Sequence, residues 1–164
     1  GNTSVTKDQT FSSLAQGTTF AFKVRGENAE KNGADSNTLN ITTDGIGLSP
    51  TAVSGEATST PQTVVISTVV TVGPFAGGSG TPKIKVNNAS NTRYKQATTS
   101  SGLSSASFTT PTTSSGGQTL TLDGNGQVFL QFEITETTGF LTTKSYTFFD
   151  SSLSRSMNVS VLQR

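Results

Sequence analysis

The chain has 164 residues, 30% hydrophobic and 13% charged, with 11 basic and 10 acidic side chains, a formal net charge of +1, and no His, Cys or Trp. A soluble domain is ordinarily about 45–50% apolar and about 25% charged, so this chain is poor in both, while Ser (23) and Thr (30) fill about a third of it. Without His or Cys it can hold neither Ser-His-Asp nor Cys-His nucleophile systems, nor zinc, haem or iron–sulfur sites built on those ligands, nor a disulfide framework, and its scattered charges form no basic stripe for nucleic acid.

Taken in chain order, the pattern is β throughout. Runs rich in Thr, Val, Ile and Phe alternate with Gly, Pro, Asn, Asp and Ser, the signature of half-buried strands between turns. Strands are expected at Thr18–Asn28, Asn37–Thr43, Gln62–Val72, Lys83–Asn87, Arg93–Ala97, Ser105–Thr110, Gln118–Leu122, Gln127–Thr137, Thr142–Asp150 and Met157–Leu162. Val128, Leu130, Phe132 and Ile134 alternate with Gln131, Glu133 and Thr135, which predicts one face on a core and one on water. No segment sustains a 3.6-residue period, and the β-branched content opposes long helices. Between Asp44 and Pro61 the string is Gly, Ser, Thr, Ala and Pro with isolated Ile46, Leu48 and Val53, which reads as a linker or loosely docked strap. The expected organisation is therefore all-β, with immunoglobulin/fibronectin-like β-sandwich units in series: residues 1–44, a linker over 45–61, and a second sandwich over 62–164.

The first unit carries a family pattern. Leu14, the Gly17-Thr18 turn, Phe20-Ala21-Phe22-Lys23-Val24 and Gly26-Glu27-Asn28, followed by Ser36-Asn37-Thr38-Leu39-Asn40-Ile41-Thr42-Thr43, resemble the closing strands of a fibronectin type III domain. Phe20, Phe22 and Val24 alternate with Ala21, Lys23 and Arg25, so the first set is expected to face inward. Phe20 stands where the family usually has a Tyr whose hydroxyl bonds back to the backbone. The resemblance covers residues 14–43 and implies only the last part of a sandwich, so residues 1–44 should need other chain to cover their inner face. The style of residues 62–164 resembles bacteriophage virion proteins such as tail fibres, appendages and capsid decorations.

Candidate sites each have a plainer structural explanation. Asp123-Gly124-Asn125-Gly126 could place oxygens around calcium, but Asp-Gly and Asn-Gly are also the strongest hairpin-turn dipeptides, and Ile134 occupies the twelfth position where an EF-hand loop has Glu. The plain turn is preferred, folding Gln127–Thr137 back on Gln118–Leu122 as a hairpin. Glu133 and Glu136 lie three apart, so in a regular strand they point to opposite faces rather than forming a glycosidase pair; both are expected as solvent-facing charges. Asp150 completes the carboxylates of this unit, and Lys83, Lys85, Lys95 and Lys144 lie in no Ser-Lys motif. Pro74–Pro82 contains Gly-Gly-Ser-Gly but no Lys-Ser/Thr follows, so it reads as a loop and not a phosphate cradle. Tyr94 between Arg93 and Lys95 could form a sugar- or partner-binding spot, though simple alternation turns it inward. Sequons at Asn2, Asn40, Asn88 and Asn158 are no more than so much Ser and Thr would give by chance.

These readings assign no catalytic, cofactor-binding or metal residues and no cofactor. The expected function is a non-enzymatic structural or adhesion module of a phage virion, located on the virion surface. Its partners would be other virion proteins, copies of itself or a host surface glycan, with no nucleic acid and no membrane insertion: the longest apolar run, Val64–Val72, falls far short of the about 20 residues of a span. The competing reading is an extracellular bacterial adhesion or carbohydrate-binding accessory module at the cell surface. Because the sequence opens on Gly1 with no signal-like segment, it is expected to be part of a longer or processed chain. The lack of Cys suits folding in a bacterial cytoplasm before exposure outside.

Overall fold

A computed structural model describes residues 9–15, 17–27, 32–76 and 81–164. Its strands are β1 (Thr19–Phe22), β2 (Arg25–Glu27), β3 (Asn32–Asp35), β4 (Leu39–Thr42), β5 (Gly45–Ser49), β6 (Val53–Ala57), β7 (Gln62–Ala76), β8 (Lys83–Val86), β9 (Thr92–Ala97), β10 (Gln118–Thr119), β11 (Val128–Glu136), β12 (Leu141–Phe149) and β13 (Ser154–Gln163), with one 3-10 turn at Ser101–Ser104.

From β5 onward the chain builds a two-layer sandwich. One sheet runs β5-β7-β11-β9 and the other β10-β8-β12-β13-β6. Lettering β5 with β6 as A, then β7, β8, β9, β11, β12 and β13 as B to G, gives A-B-E-D against C-F-G plus the second half of A. This is the strand order of immunoglobulin-type sandwiches.

The inner faces follow from period-two alternation. Val128, Leu130, Phe132 and Ile134 of β11 are fully buried, as their spacing predicts, and face Tyr146 and Phe148 of β12 and Met157, Val159 and Val161 of β13 across a single core. Between β7 and β11 the register slips: Leu130 pairs with Val70 but Phe132 pairs with Ile66. The two extra residues on β7 are an even number, so Ile66, Val70 and Val72 all stay on the core side. At the centre the Phe132 and Tyr146 rings lie 4.7 Å apart and Tyr94 meets Tyr146 edge-on at 6.4 Å. The Thr92 hydroxyl donates to the Glu133 carbonyl at 3.1 Å, so its one proton is engaged and the Tyr146 hydroxyl must donate to it, at 2.7 Å.

Residues 45–61 are not a linker. Strand β5 pairs antiparallel with β7, and after the turn at Pro50 the chain changes sheets, so that β6 runs parallel to β13. Ile46, Leu48, Val53 and Ala57 are all buried, and the Arg155 guanidinium donates to the Ile46 carbonyl at 2.7 Å. The glycines that suggest flexibility instead permit close approach: a Cβ on Gly47 would sit 2.5 Å from the Gly73 carbonyl oxygen. The sandwich therefore begins at Gly45, not at residue 62.

The described residues between 9 and 44 form a ribbon and not a layered unit. The expected strand Thr18–Asn28 is divided, with β1 pairing β4 and β2 pairing β3. The base of the ribbon is closed where the Thr43 hydroxyl donates to the Ala15 carbonyl at 2.6 Å and the Gly17 N–H points to the Asp44 carbonyl at 3.4 Å. There Gly17 lies against the sandwich, where a Cβ on it would sit 2.5 Å from the Gly47 backbone nitrogen. Phe20 and Phe22 are half-buried, helped by Phe11, whose ring lies 4.9 Å from Phe22. Val24, expected inward, is 74% exposed, because nothing among the described residues lies over that end of the ribbon.

Three further expectations need correction. Residues 105–110 form no strand, contributing only a bridge from Thr109 to Tyr94. The segment at Gln118 pairs with β8 and not with β11, so the Asp123–Gly126 turn carries the chain from one sheet to the other instead of closing a hairpin. Leu120 turns into the core on the way, which commits this stretch to a between-sheet path. Pro74–Ala76, expected in a loop, instead close β7, where Phe75 and Ala76 pair with Ile46 and Gly45, and the rest of that expected loop falls partly at residues 77–80, outside the described residues.

Candidate functional site

The acidic side chains are mostly occupied by local structure. Asp123 Oδ1 accepts the backbone N–H groups of Asn125 and Gln127, both at 2.8 Å, an Asx turn that accounts for the residue at this position. Asp150 does the same between β12 and β13, taking the N–H groups of Ser152 and Leu153 at 2.8 Å. Burial raises its pKa, but those donors outweigh burial and hold it below the usual carboxylate value.

Glu136, expected at the surface, is fully buried. It continues the parity of Val128 to Ile134 and so points inward at the last residue of β11. The following turn receives it: Oε1 accepts the Thr138 hydroxyl and N–H at 2.6 Å and the Gly139 N–H at 3.2 Å. The Thr138 hydroxyl is the leading cause of a carboxyl pKa held down to about 2, burial acting the other way. Because the folded value lies below the unfolded one, the stabilisation is complete above about pH 4.5 and is lost as the pH falls toward 2. Glu136→Gln, which can keep the acceptor but not the charge, should flatten the melting temperature between pH 5 and 2.5 relative to the parent. Equal acid sensitivity of the two proteins would contradict this assignment.

Two lysine and tyrosine positions also resolve. Tyr94 is buried and inward, as alternation predicts, and does not form a surface spot with its basic neighbours. Lys144, which shares the inward face of β12 with Tyr146, is buried too, and burial lowers its pKa.

The site the structure does assemble lies on the outer face of the β7-β11-β9 sheet. Register places Arg93 opposite Glu133 and Thr63 opposite Thr135. Arg93 reaches Glu133 Oε1 with Nε at 2.7 Å and with a terminal nitrogen at 2.6 Å, and the Thr63 and Thr135 hydroxyls meet at 2.8 Å. Glu133, expected to face solvent freely, is thus only 13% exposed and is paired. With Asn91 and Thr110 these residues line an open groove of about 390 Å³. At its Arg93 end stands Phe108, whose ring lies 5.7 Å from the Arg93 guanidinium and 4.9 Å from the Lys95 ammonium. Arg93 and Lys95 therefore flank Phe108 and not Tyr94. Among so many hydroxyl residues nothing in the sequence distinguishes Thr63, Thr110 or Thr135; the β9–β11 and β7–β11 registers bring Thr63 and Thr135 to Arg93 and Glu133, and the Tyr94–Thr109 bridge sets Thr110 beside them.

No family model matches the chain, and no curated protein matches it. Among solved structures, the fold is similar to domains 4 and 5 of the S-layer protein SbsC, at 11% sequence identity and a TM-score of 0.36, covering 77% of this chain and 59% of that one. So loose a superposition carries no argument about function.

Proposed function

We propose that this chain is a non-catalytic structural module of a phage virion surface, part of a fibre, tail appendage or capsid-surface protein, whose partners are neighbouring virion proteins or further copies of itself. The observation that carries the reading is a ribbon that the described residues leave uncovered. Phe11, Val24, Leu39 and Ile41 leave apolar side chains half to three-quarters exposed beside a sandwich that is itself well packed. Contiguous exposed apolar surface on an otherwise complete fold marks a face completed by other chain. The small, cysteine-free, hydroxyl-rich composition supports a particle exposed outside the cell after assembly within it.

The test is immunogold labelling with antibodies raised against the folded sandwich. Virion-surface labelling, with the intact protein present in purified particles by mass spectrometry, is the expected result. Labelling confined to the host cell envelope, with none on particles, would overturn the virion reading in favour of a bacterial surface module.

A further inference from the structure

We propose that the groove on the outer face of the β7-β11-β9 sheet binds a neutral saccharide segment. The chemistry of its walls selects the ligand class. Among the groove's lining residues Arg93 and Glu133 cancel in charge, the Lys95 ammonium lying beyond them against Phe108, so a phosphate or sulfate would meet the carboxylate and a cation would meet the guanidinium. Both Arg93 contacts fall on Glu133 Oε1, and Oε2 has no hydrogen-bond partner among the described residues. That leaves an acceptor beside guanidinium donors, the Thr63, Thr110 and Thr135 hydroxyls and the Asn91 amide, a mixed set suited to vicinal hydroxyl groups, each of which both donates and accepts.

Apolar surface for the C–H face of a sugar ring flanks the polar set. Val65, 43% exposed, is the register partner of Glu133, and Phe108 stands at the Arg93 end. A volume of about 390 Å³ lies at the small end of ligand sites, and the groove is open rather than enclosed, so its occupant is a short stretch of a longer chain.

A peptide fits less well. Strand addition needs a free sheet edge, and beside the groove the β9 edge is interrupted at its middle, where Tyr94 and Thr109 exchange backbone hydrogen bonds at 3.0 and 2.7 Å. The groove also offers no deep apolar pocket for an anchoring side chain.

The test is a titration of the ¹⁵N-labelled chain, followed by amide chemical shifts, with glucose, galactose, N-acetylglucosamine, maltose, lactose and chitobiose up to 50 mM. At least one sugar should produce saturable shifts clustered at Arg93, Thr110, Glu133 and Thr135. Arg93→Ala and Glu133→Gln should each weaken that binding at least tenfold while leaving the core amide pattern unchanged. A second control, Lys85→Ala on the opposite sheet, should leave affinity within twofold. No saturable shifts with any of the six sugars, shifts clustered elsewhere, or unchanged affinity in both groove variants would overturn the proposal, as would saturable binding at the groove by an unstructured Ser/Thr peptide in place of every sugar. None of these results bears on the structural role, which rests on the ribbon.

Discussion

Phe132→Ala is expected to lower the unfolding free energy by about 3–5 kcal/mol, a large share of the about 5–15 kcal/mol that holds a domain together. The ring is fully buried and packs 4.7 Å from Tyr146 between the two sheets, so truncation removes its apolar contacts and leaves a cavity that the rigid strands around it can close only in part. Gln131→Ala, one residue away on the outer face opposite Lys95, should cost under about 0.5 kcal/mol. Urea denaturation of both variants checks the pair. Equal costs would mean the outer face is also covered, and a large cost from Gln131 alone would shift the strand's register by one residue.

Gly73→Ala is the second large effect, and it arises from backbone and not from core volume. Gly73 has φ +124, a conformation that L side chains rarely adopt, and a Cβ there would run into the Gly126 carbonyl oxygen and lie 3.0 Å from the Gln127 Cα. Backbone strain of about 1–3 kcal/mol and overpacking of similar size predict a total of about 2–6 kcal/mol. Gly124→Ala, in the nearby turn, meets nothing within 4 Å and should change stability by less than about 0.5 kcal/mol. Two equally mild substitutions would show that β7 and the 123–126 turn do not approach as closely as described.

Where one residue in two faced a core and its neighbours faced water, the sequence was readable. Strand β11 shows this best, and the sheets around it follow the same rule. The rule failed where residue type and position disagreed. Glu136 is in phase with the core positions, but a carboxylate at that place suggests surface; what tips it inward is the trio of donors from Thr138 and Gly139, visible only once the turn is folded. The strands β5 and β6 were hidden for a related reason. Gly45, Gly47 and Gly55 look like a flexible connection, yet Gly47 serves close packing of one backbone against another. Turn chemistry gave the Asp123–Gly126 bend correctly but not its partners, because a turn fixes local direction and Leu120 decides which sheet the chain joins. The groove was illegible for a different reason: its residues are common types whose meaning comes from the cross-strand register alone.

On the proposal made above, the sandwich is complete in itself while the ribbon is completed by its neighbours. Hydrogen–deuterium exchange, read by mass spectrometry on the isolated chain and on the same protein within its purified native particle, separates the two cases. Strong protection of β11, β12 and β13 is expected in both states, and of β1 and β4 only in the particle, with the change centred on peptides carrying Phe22, Leu39 and Ile41. Protection of the ribbon that is already high in the isolated chain, or that stays low in the particle, would contradict it.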